Sequence, residues 1–115
     1  GEAVSNRVLW KNFMQARAVG IVQADCTRLA GISEWLAVAM LARQFPVRLV
    51  PHVGDMGQIH QHLVLFGHIA LGHEKLFLEY IPHLRDNFVH PAKVVGGHYM
   101  PSLEPGCGTD IYPSS

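Results

Sequence analysis

Apolar residues recur along this chain in three helical stretches separated by short β-branched runs. Val8, Leu9, Phe13 and Met14 repeat at helical spacing through about residue 17, and Ser5 or Asn6 can cap the start. Residues 19–23, Val-Gly-Ile-Val-Gln, then read as a strand that leads into Ala24-Asp25-Cys26. Gly31 and Ser33 open a second helix, 34–44, apolar on nearly all sides and therefore expected to be largely buried. Phe45-Pro46 stops it, because the residue before a proline is pushed out of the helical region. Residues 47–50 form the second strand, broken at once by Pro51-His52 and the glycine-bearing turn from Gly54 to Gly57. A third helix suits 58–71 and a third strand 76–80. Beyond Pro82 the pattern weakens to a helical turn over 83–88 and a short strand pair about Gly96-Gly97. The last residues, 101–115, read as a loop tail rich in Pro, Gly and Ser, which divides the chain into a 1–100 body and a 101–115 tail.

Helix and strand alternate with short connections, and right-handed βα units in a parallel sheet are the economical solution. Three strands cannot close an eight-stranded barrel, which takes about 200 residues or more. An open doubly wound sheet would carry a glycine-rich phosphate turn after a strand, and Gly54 to Gly57 matches neither phosphate-binding pattern. The expected fold class is α/β, a segment of a (β/α) barrel of about three units plus a tail.

Composition narrows the function classes. The chain has 115 residues, 49% of them hydrophobic, with mean hydropathy +0.15, enough for one modest domain with a core. Nine basic residues balance nine acidic ones without a charge run, which argues against nucleic acid or an anionic membrane as partner. No apolar stretch approaches the roughly 18 residues of a membrane span. Two cysteines, Cys26 and Cys107, make no disulfide framework, so a reducing, cytoplasmic setting is expected. The chain opens Gly1-Glu2-Ala3-Val4 without an initiator methionine and without a signal peptide, as a piece of a longer or processed protein would. Of eight histidines, most are expected to be surface or half-buried imidazoles. His60 and His62 lie two apart and His68 and His73 five apart on the third helix and just beyond it, spacings that do not share a metal ion.

The candidate chemistry sits where the strands end. Asp25, His52 and Glu79 close successive strands, and Glu2 stands where a preceding strand would end. On the barrel face where the loops meet, four such residues converge on one pocket. Each alone has a plain structural explanation: a turn cap for Asp25, a satisfied core imidazole for His52, a rim charge for Glu79. Together they mark a site.

These residues also carry a family resemblance. Gly1-Glu2 with Asn6-Arg7-Val8, Gln15-Ala16, Gln23-Ala24-Asp25, Arg28-Leu29-Ala30-Gly31, Pro51-His52, Gly54, Gly57, Gln61-His62-Leu63, Glu79-Tyr80 with His83-Leu84, and Pro105-Gly106 are similar to the C-terminal part of enolase-superfamily enzymes of the mandelate-racemase subgroup. Within it they most resemble acid-sugar dehydratases of the L-fuconate dehydratase kind. The resemblance implies an Mg²⁺-dependent lyase that removes a proton α to a carboxylate and expels a β-hydroxyl, leaving a 2-keto-3-deoxy sugar acid. It implies Glu2 as the last of three metal carboxylates, a hard oxygen donor suited to Mg²⁺. It implies His52 as general acid, with an ionised Asp25 orienting its ring and favouring the imidazolium. Glu79 would hydrogen-bond the enediolate oxygen, which requires a protonated carboxyl, and Arg28 would be a substrate contact or, equally, a structural ion pair. The implied partners are a small sugar acid and further copies of the whole protein.

The resemblance also leaves gaps. The base that takes the α-proton and two further metal carboxylates would lie on strands outside this chain, and Lys11, Lys75 and Lys93 stand on helix or loop positions unsuited to that base. Asp55-Met56 departs from the smaller residues expected after the histidine. A racemase or epimerase of the same superfamily is the alternative reaction. A non-catalytic fold fragment or binding module is the alternative class, and as an open barrel segment it would expose strand edges and tend to associate.

Overall fold

The computed structural model describes residues 1–52, 58–74 and 77–114. Helix α1 (Arg7–Gln15) starts at Asn6, whose side chain accepts a hydrogen bond from the Leu9 amide at 2.9 Å, one of the four donors a helix start leaves unpaired. The helix is shorter than its apolar pattern predicts because Arg17 takes a positive φ of 54° and turns the chain towards β1. It packs on α2 through a narrow stripe of Trp10 and Met14, and leaves Val8, Leu9 and Phe13 exposed.

Strand β1 (Ile21–Val22) and strand β2 (Arg48–Leu49) pair in parallel, with Val22 opposite Leu49. The ladder outlasts both strands: the Val50 amide donates to Val22 at 3.0 Å and the His52 amide to Ala24 at 3.2 Å. Helix α2 (Ile32–Gln44) crosses between them, as a parallel connection requires. Its buried residues Trp35, Val38, Ala39 and Ala42 fall at i, i+3, i+4 and i+7, a single stripe facing the sheet. With Trp10, Met14, Val22, Ala24, Leu49 and Leu63 they form the core, and the Trp35 indole N–H is satisfied by the Ala24 carbonyl at 3.2 Å. Helix α3 (His60–Ile69) buries His60, Gln61, Leu63 and Gly67.

The expected third strand is not formed over its described part. Phe77 to Tyr80 joins no sheet, while Leu76 and Lys75 lie outside the described residues, as does the turn from Gly54 to Gly57. A parallel strand is stabilised by ladder bonds and by burial on its faces. This segment has neither, since β1 and β2 pair only with each other among the described residues and Phe77 is 62% exposed.

Past a 3₁₀ turn (Arg85–Asn87), strands β3 (Lys93–Val95) and β4 (His98–Met100) form the expected hairpin. Gly96 and Gly97, with φ of 56° and 80°, supply the two left-handed residues that a two-residue hairpin turn demands. The tail is not a free loop. Ile111 bridges Phe88, the Tyr112 amide donates to Asn87 at 2.9 Å and the Val89 amide to Asp110 at 2.9 Å. No helix among the described residues is long and apolar enough to cross a membrane.

Candidate active site

The parallel register brings the candidate residues together. Val22 and Leu49 are partners, and Asp25 and His52 each lie three residues further along, so they reach the same level at the carboxyl end of the sheet. His52 Nδ1 stands 2.9 Å from Asp25 Oδ2. The other carboxylate oxygen, Oδ1, accepts from the Thr27 amide at 2.8 Å and the Thr27 hydroxyl at 2.7 Å. Both Thr27 donors go to one oxygen, so the carboxylate is locked in rotation with Oδ2 kept for the imidazole. Burial by itself raises the Asp25 carboxyl, but the hydrogen bonds from His52 and Thr27 outweigh it and hold the group below its ordinary value. Asp25 is therefore ionised at neutral pH and accepts from His52 Nδ1–H, which turns Nε2 outward.

Outward, Nε2 meets carboxylates. It stands 3.7 Å from Glu79 Oε2 and 3.9 Å from Glu2 Oε2, beyond hydrogen-bond range but close enough for charge to matter. Gln23 Nε2 reaches Glu79 at 3.5 Å, and Arg28 lies 3.8 Å from Glu2 with both side chains 57% exposed. The three predicted carboxylates thus surround the predicted imidazole, and Arg28 stands at the rim beside Glu2. Glu79 arrives from an unpaired segment rather than from a strand end. Lys11 on α1 and Lys93 on β3 are both exposed.

Two neighbours escaped the sequence reading. His60 was expected among the surface or half-buried histidines, yet it is fully buried; its Nε2 accepts from the Cys26 amide at 2.9 Å and lies 3.3 Å from Asp25 Oδ1. An ion pair with Asp25 would need a proton on Nε2, whereas the Cys26 N–H points at a lone pair there, so the ring is neutral at that nitrogen. The available signal was its place at i, i+3 and i+7 with Leu63 and Gly67 on the buried side of α3. The second neighbour is Thr27, whose Asx-type contact to Asp25 is a local habit of an acidic residue two positions earlier. Cys26, next to Asp25, is no nucleophile. Burial, with the charges of Asp25 and Cys107 adding, pushes its thiol up to about 11.

For a divalent cation, Glu2 and Glu79 offer hard oxygen donors suited to Mg²⁺. Among the described residues no group of three His, Cys, Asp or Glu side chains is disposed to hold a metal ion. The donor chemistry of the exposed Glu2 fits one ligand position, and the remaining ligands would come from outside this set.

Parallel βα units that deliver an aspartate and a histidine to one mouth define a segment of a (β/α) barrel. The chain belongs to the enolase C-terminal domain-like family, whose model matches residues 1–115. It is 36% identical to mitochondrial enolase superfamily member 1 of Xenopus laevis over 96% of its length, and 34% identical to the L-galactonate dehydratase of Hypocrea jecorina over 100% of it. The crystal structure of human mitochondrial enolase superfamily member 1 superposes with a TM-score of 0.85 at 34% identity over 95% of the chain and 26% of that structure. The L-talarate dehydratase of Polaromonas sp. JS666, crystallised with Mg and L-glucarate, shares the fold at TM-score 0.75 and 22% identity, over 99% of this chain and 30% of that one. The chain spans about a quarter, 26%, of the length of both curated relatives. The expected fold is met: this is part of an enolase-type barrel.

Proposed function

We propose that the protein containing this chain is an Mg²⁺-dependent sugar-acid dehydratase, with His52 as the general acid that expels the β-hydroxyl. The observation that carries the reading is the 2.9 Å pair of His52 Nδ1 and the ionised Asp25, with Nε2 left facing Glu79 and Glu2. Relatives that include an L-galactonate dehydratase support the substrate class.

Asp25 holds one proton on Nδ1 and favours the imidazolium, so the proton His52 delivers leaves from Nε2, the nitrogen on the pocket side, and the ring is left as the Nδ1–H tautomer. A base outside this chain takes the α-proton of the sugar acid. As the Cα–Cβ double bond forms, the Cβ–O bond breaks and the leaving oxygen takes the Nε2 proton to depart as water. The resulting enol tautomerises to the 2-keto-3-deoxy acid. Mg²⁺, when bound, supplies electrostatic stabilisation of charge growing on the substrate carboxylate, and Glu2 would hold it as one oxygen ligand. Glu79 would hydrogen-bond the oxygen on which that charge develops, and Arg28 at the rim would contact a substrate carboxylate or hydroxyl. L-Fuconate is the first substrate to try, the protein is placed in the cytoplasm, and it assembles as a homo-oligomer.

The test is a panel of mono- and diacid sugars, L-fuconate and L-galactonate among them, offered with Mg²⁺ to the full-length protein and its His52→Asn variant. The wild type should release a 2-keto-3-deoxy acid and the variant should lose this activity by a factor on the order of 10²–10⁴. Undiminished turnover by the variant would remove His52 from the mechanism. Exchange of the α-proton with solvent, without loss of water, would make the protein a racemase or epimerase instead.

A further inference from the structure

We propose that His60 is a positioning residue for the Asp25–His52 pair, acting from helix α3 through the backbone amide of Cys26. The inference rests on the reading above for the role of His52, but the contact itself and its first test do not.

A carboxylate that orients an imidazole must be fixed in two ways: its rotation about the side chain and the position of the backbone that bears it. Thr27 provides the first, with both donors on Oδ1. Thr27, however, lies two residues from Asp25 in the same turn and moves with it. The register with β2 ends at the Ala24 carbonyl, one residue before Asp25. The next peptide unit, between Asp25 and Cys26, is anchored from a separate element 34 residues away, where the Cys26 N–H donates to His60 Nε2 at 2.9 Å. His60 is fully buried and Asp25 nearly so, which removes water as a competing acceptor for that amide. Holding the amide holds the carboxylate.

The tautomer is part of the device. With Nε2 as acceptor, the ring presents no proton to Asp25 Oδ1 at 3.3 Å, so it does not displace the Thr27 donors or draw the carboxylate away from His52. A neutral acceptor of this reach is what the position needs, and few side chains supply one from a helix. Glutamine places a carbonyl oxygen at comparable distance, whereas leucine fills the volume and accepts nothing.

The first experiment is a ¹⁵N spectrum of the histidine-labelled wild-type protein. It should show His60 with an unprotonated Nε2 coupled across the hydrogen bond to the Cys26 amide, and a protonated Nε2 on His60 would overturn the proposal. The second compares His60→Leu with His60→Gln in the full-length enzyme. His60→Leu should weaken or shift the His52 Nδ1–H resonance and lower kcat about 10- to 100-fold, the range a misplaced catalytic group costs, with KM within about twofold. His60→Gln should restore most of both. A His60→Leu protein with wild-type His52 resonances and kcat would refute the role. Altered resonances in a protein that dehydrates no sugar acid would support the positioning role and count against the proposed reaction alone.

Discussion

Asp25→Asn changes one atom and has a direction set by the structure. Asp25 Oδ1 already receives the Thr27 amide at 2.8 Å and the Thr27 hydroxyl at 2.7 Å. An N–H needs an acceptor, so the asparagine must keep its carbonyl oxygen there, and its NH₂ falls at the Oδ2 position opposite His52 Nδ1. The reverse orientation gives up the Thr27 amide bond, about 1 kcal/mol. Facing an N–H donor, Nδ1 must become an acceptor, and the histidine proton moves to Nε2. Three hydrogen bonds to a carboxylate, worth about 1.5–3 kcal/mol each, become three neutral ones of about 0.5–1.5. Relief of the desolvation that opposes a buried charge returns part of this difference. The net expectation is about 1–2 kcal/mol of destabilisation at pH 7 and a loss of kcat on the order of 10³–10⁴, because without a carboxylate at Nδ1 the imidazolium that gives up the Nε2 proton is no longer favoured. The pH dependence has a definite sign. The folded carboxyl lies below its ordinary 3.8, so its stabilisation is complete above that value and is lost as pH falls through the folded pKa. The wild-type and variant stability curves should therefore lie apart at pH 7 and converge below about pH 3.8. Urea melts across pH 2–8 and the ¹⁵N tautomer signature of His52 read both effects. Coincident curves at pH 7, or an Nδ1–H tautomer retained in the variant, would refute the reasoning.

Other positions give sharper contrasts in stability. Trp35→Phe keeps most of the core volume and removes the indole bond to the Ala24 carbonyl, which still accepts the His52 amide, and should cost about 0.5–1.5 kcal/mol in a thermal or urea melt. Gly67→Ala should stabilise by about 0.5–1 kcal/mol despite its burial. The new methyl would meet Leu49 at 3.6 Å, His73 at 3.7 Å and Trp35 at 3.8 Å, ordinary contacts, while the helix gains a better former. Asn6→Ala, by removing the cap on α1, should cost about 1 kcal/mol. Thiol labelling at pH 8 should modify exposed Cys107 and spare Cys26, whose thiol is buried and raised to about 11; equal labelling would contradict the structure.

The elements that periodicity predicted best are those whose stability is local or doubly buried. α2 declares itself as a helix by its run of apolar residues, although only the stripe of Trp35, Val38, Ala39 and Ala42 is buried, and Ile32 and Met40 are exposed where burial on nearly all sides was expected; the hairpin declares itself through Gly96-Gly97 because only glycine takes both left-handed positions cheaply. Residues 76–80 look like a strand on composition, but strandness is a property of pairs, and Phe77 to Tyr80 finds no neighbour to pair with among the described residues. The tail hid its bonds for the opposite reason: backbone groups of Asp110 and Tyr112 pair whatever side chains they carry. In the site, the meeting of Asp25 and His52 was legible because βα spacing puts strand ends in phase, whereas Glu79 and Glu2 come near the imidazole from segments that join no strand among the described residues. His60 was not legible, since a histidine that satisfies a distant backbone amide leaves no mark in its own neighbourhood beyond one buried helical position.

The shared register of β1 and β2 works as a measuring rule. From the paired residues Val22 and Leu49 the chain runs three residues to Asp25 and three to His52. What matters is that these two short lengths are equal, and neither is free to change alone. A single-residue insertion in one of them would slide its functional group about 3.3 Å along the strand direction and turn it to the opposite face. The Asp25–His52 contact would then be lost while every helix remained in place. The strand pairing itself does not depend on the chain past Thr27, whose two bonds to Asp25 close the measured stretch. In a lineage of such proteins, or in a redesign that grafts new loops onto this frame, the boundary between tolerant and intolerant positions on the β1 side should therefore fall just past the pair, after Thr27.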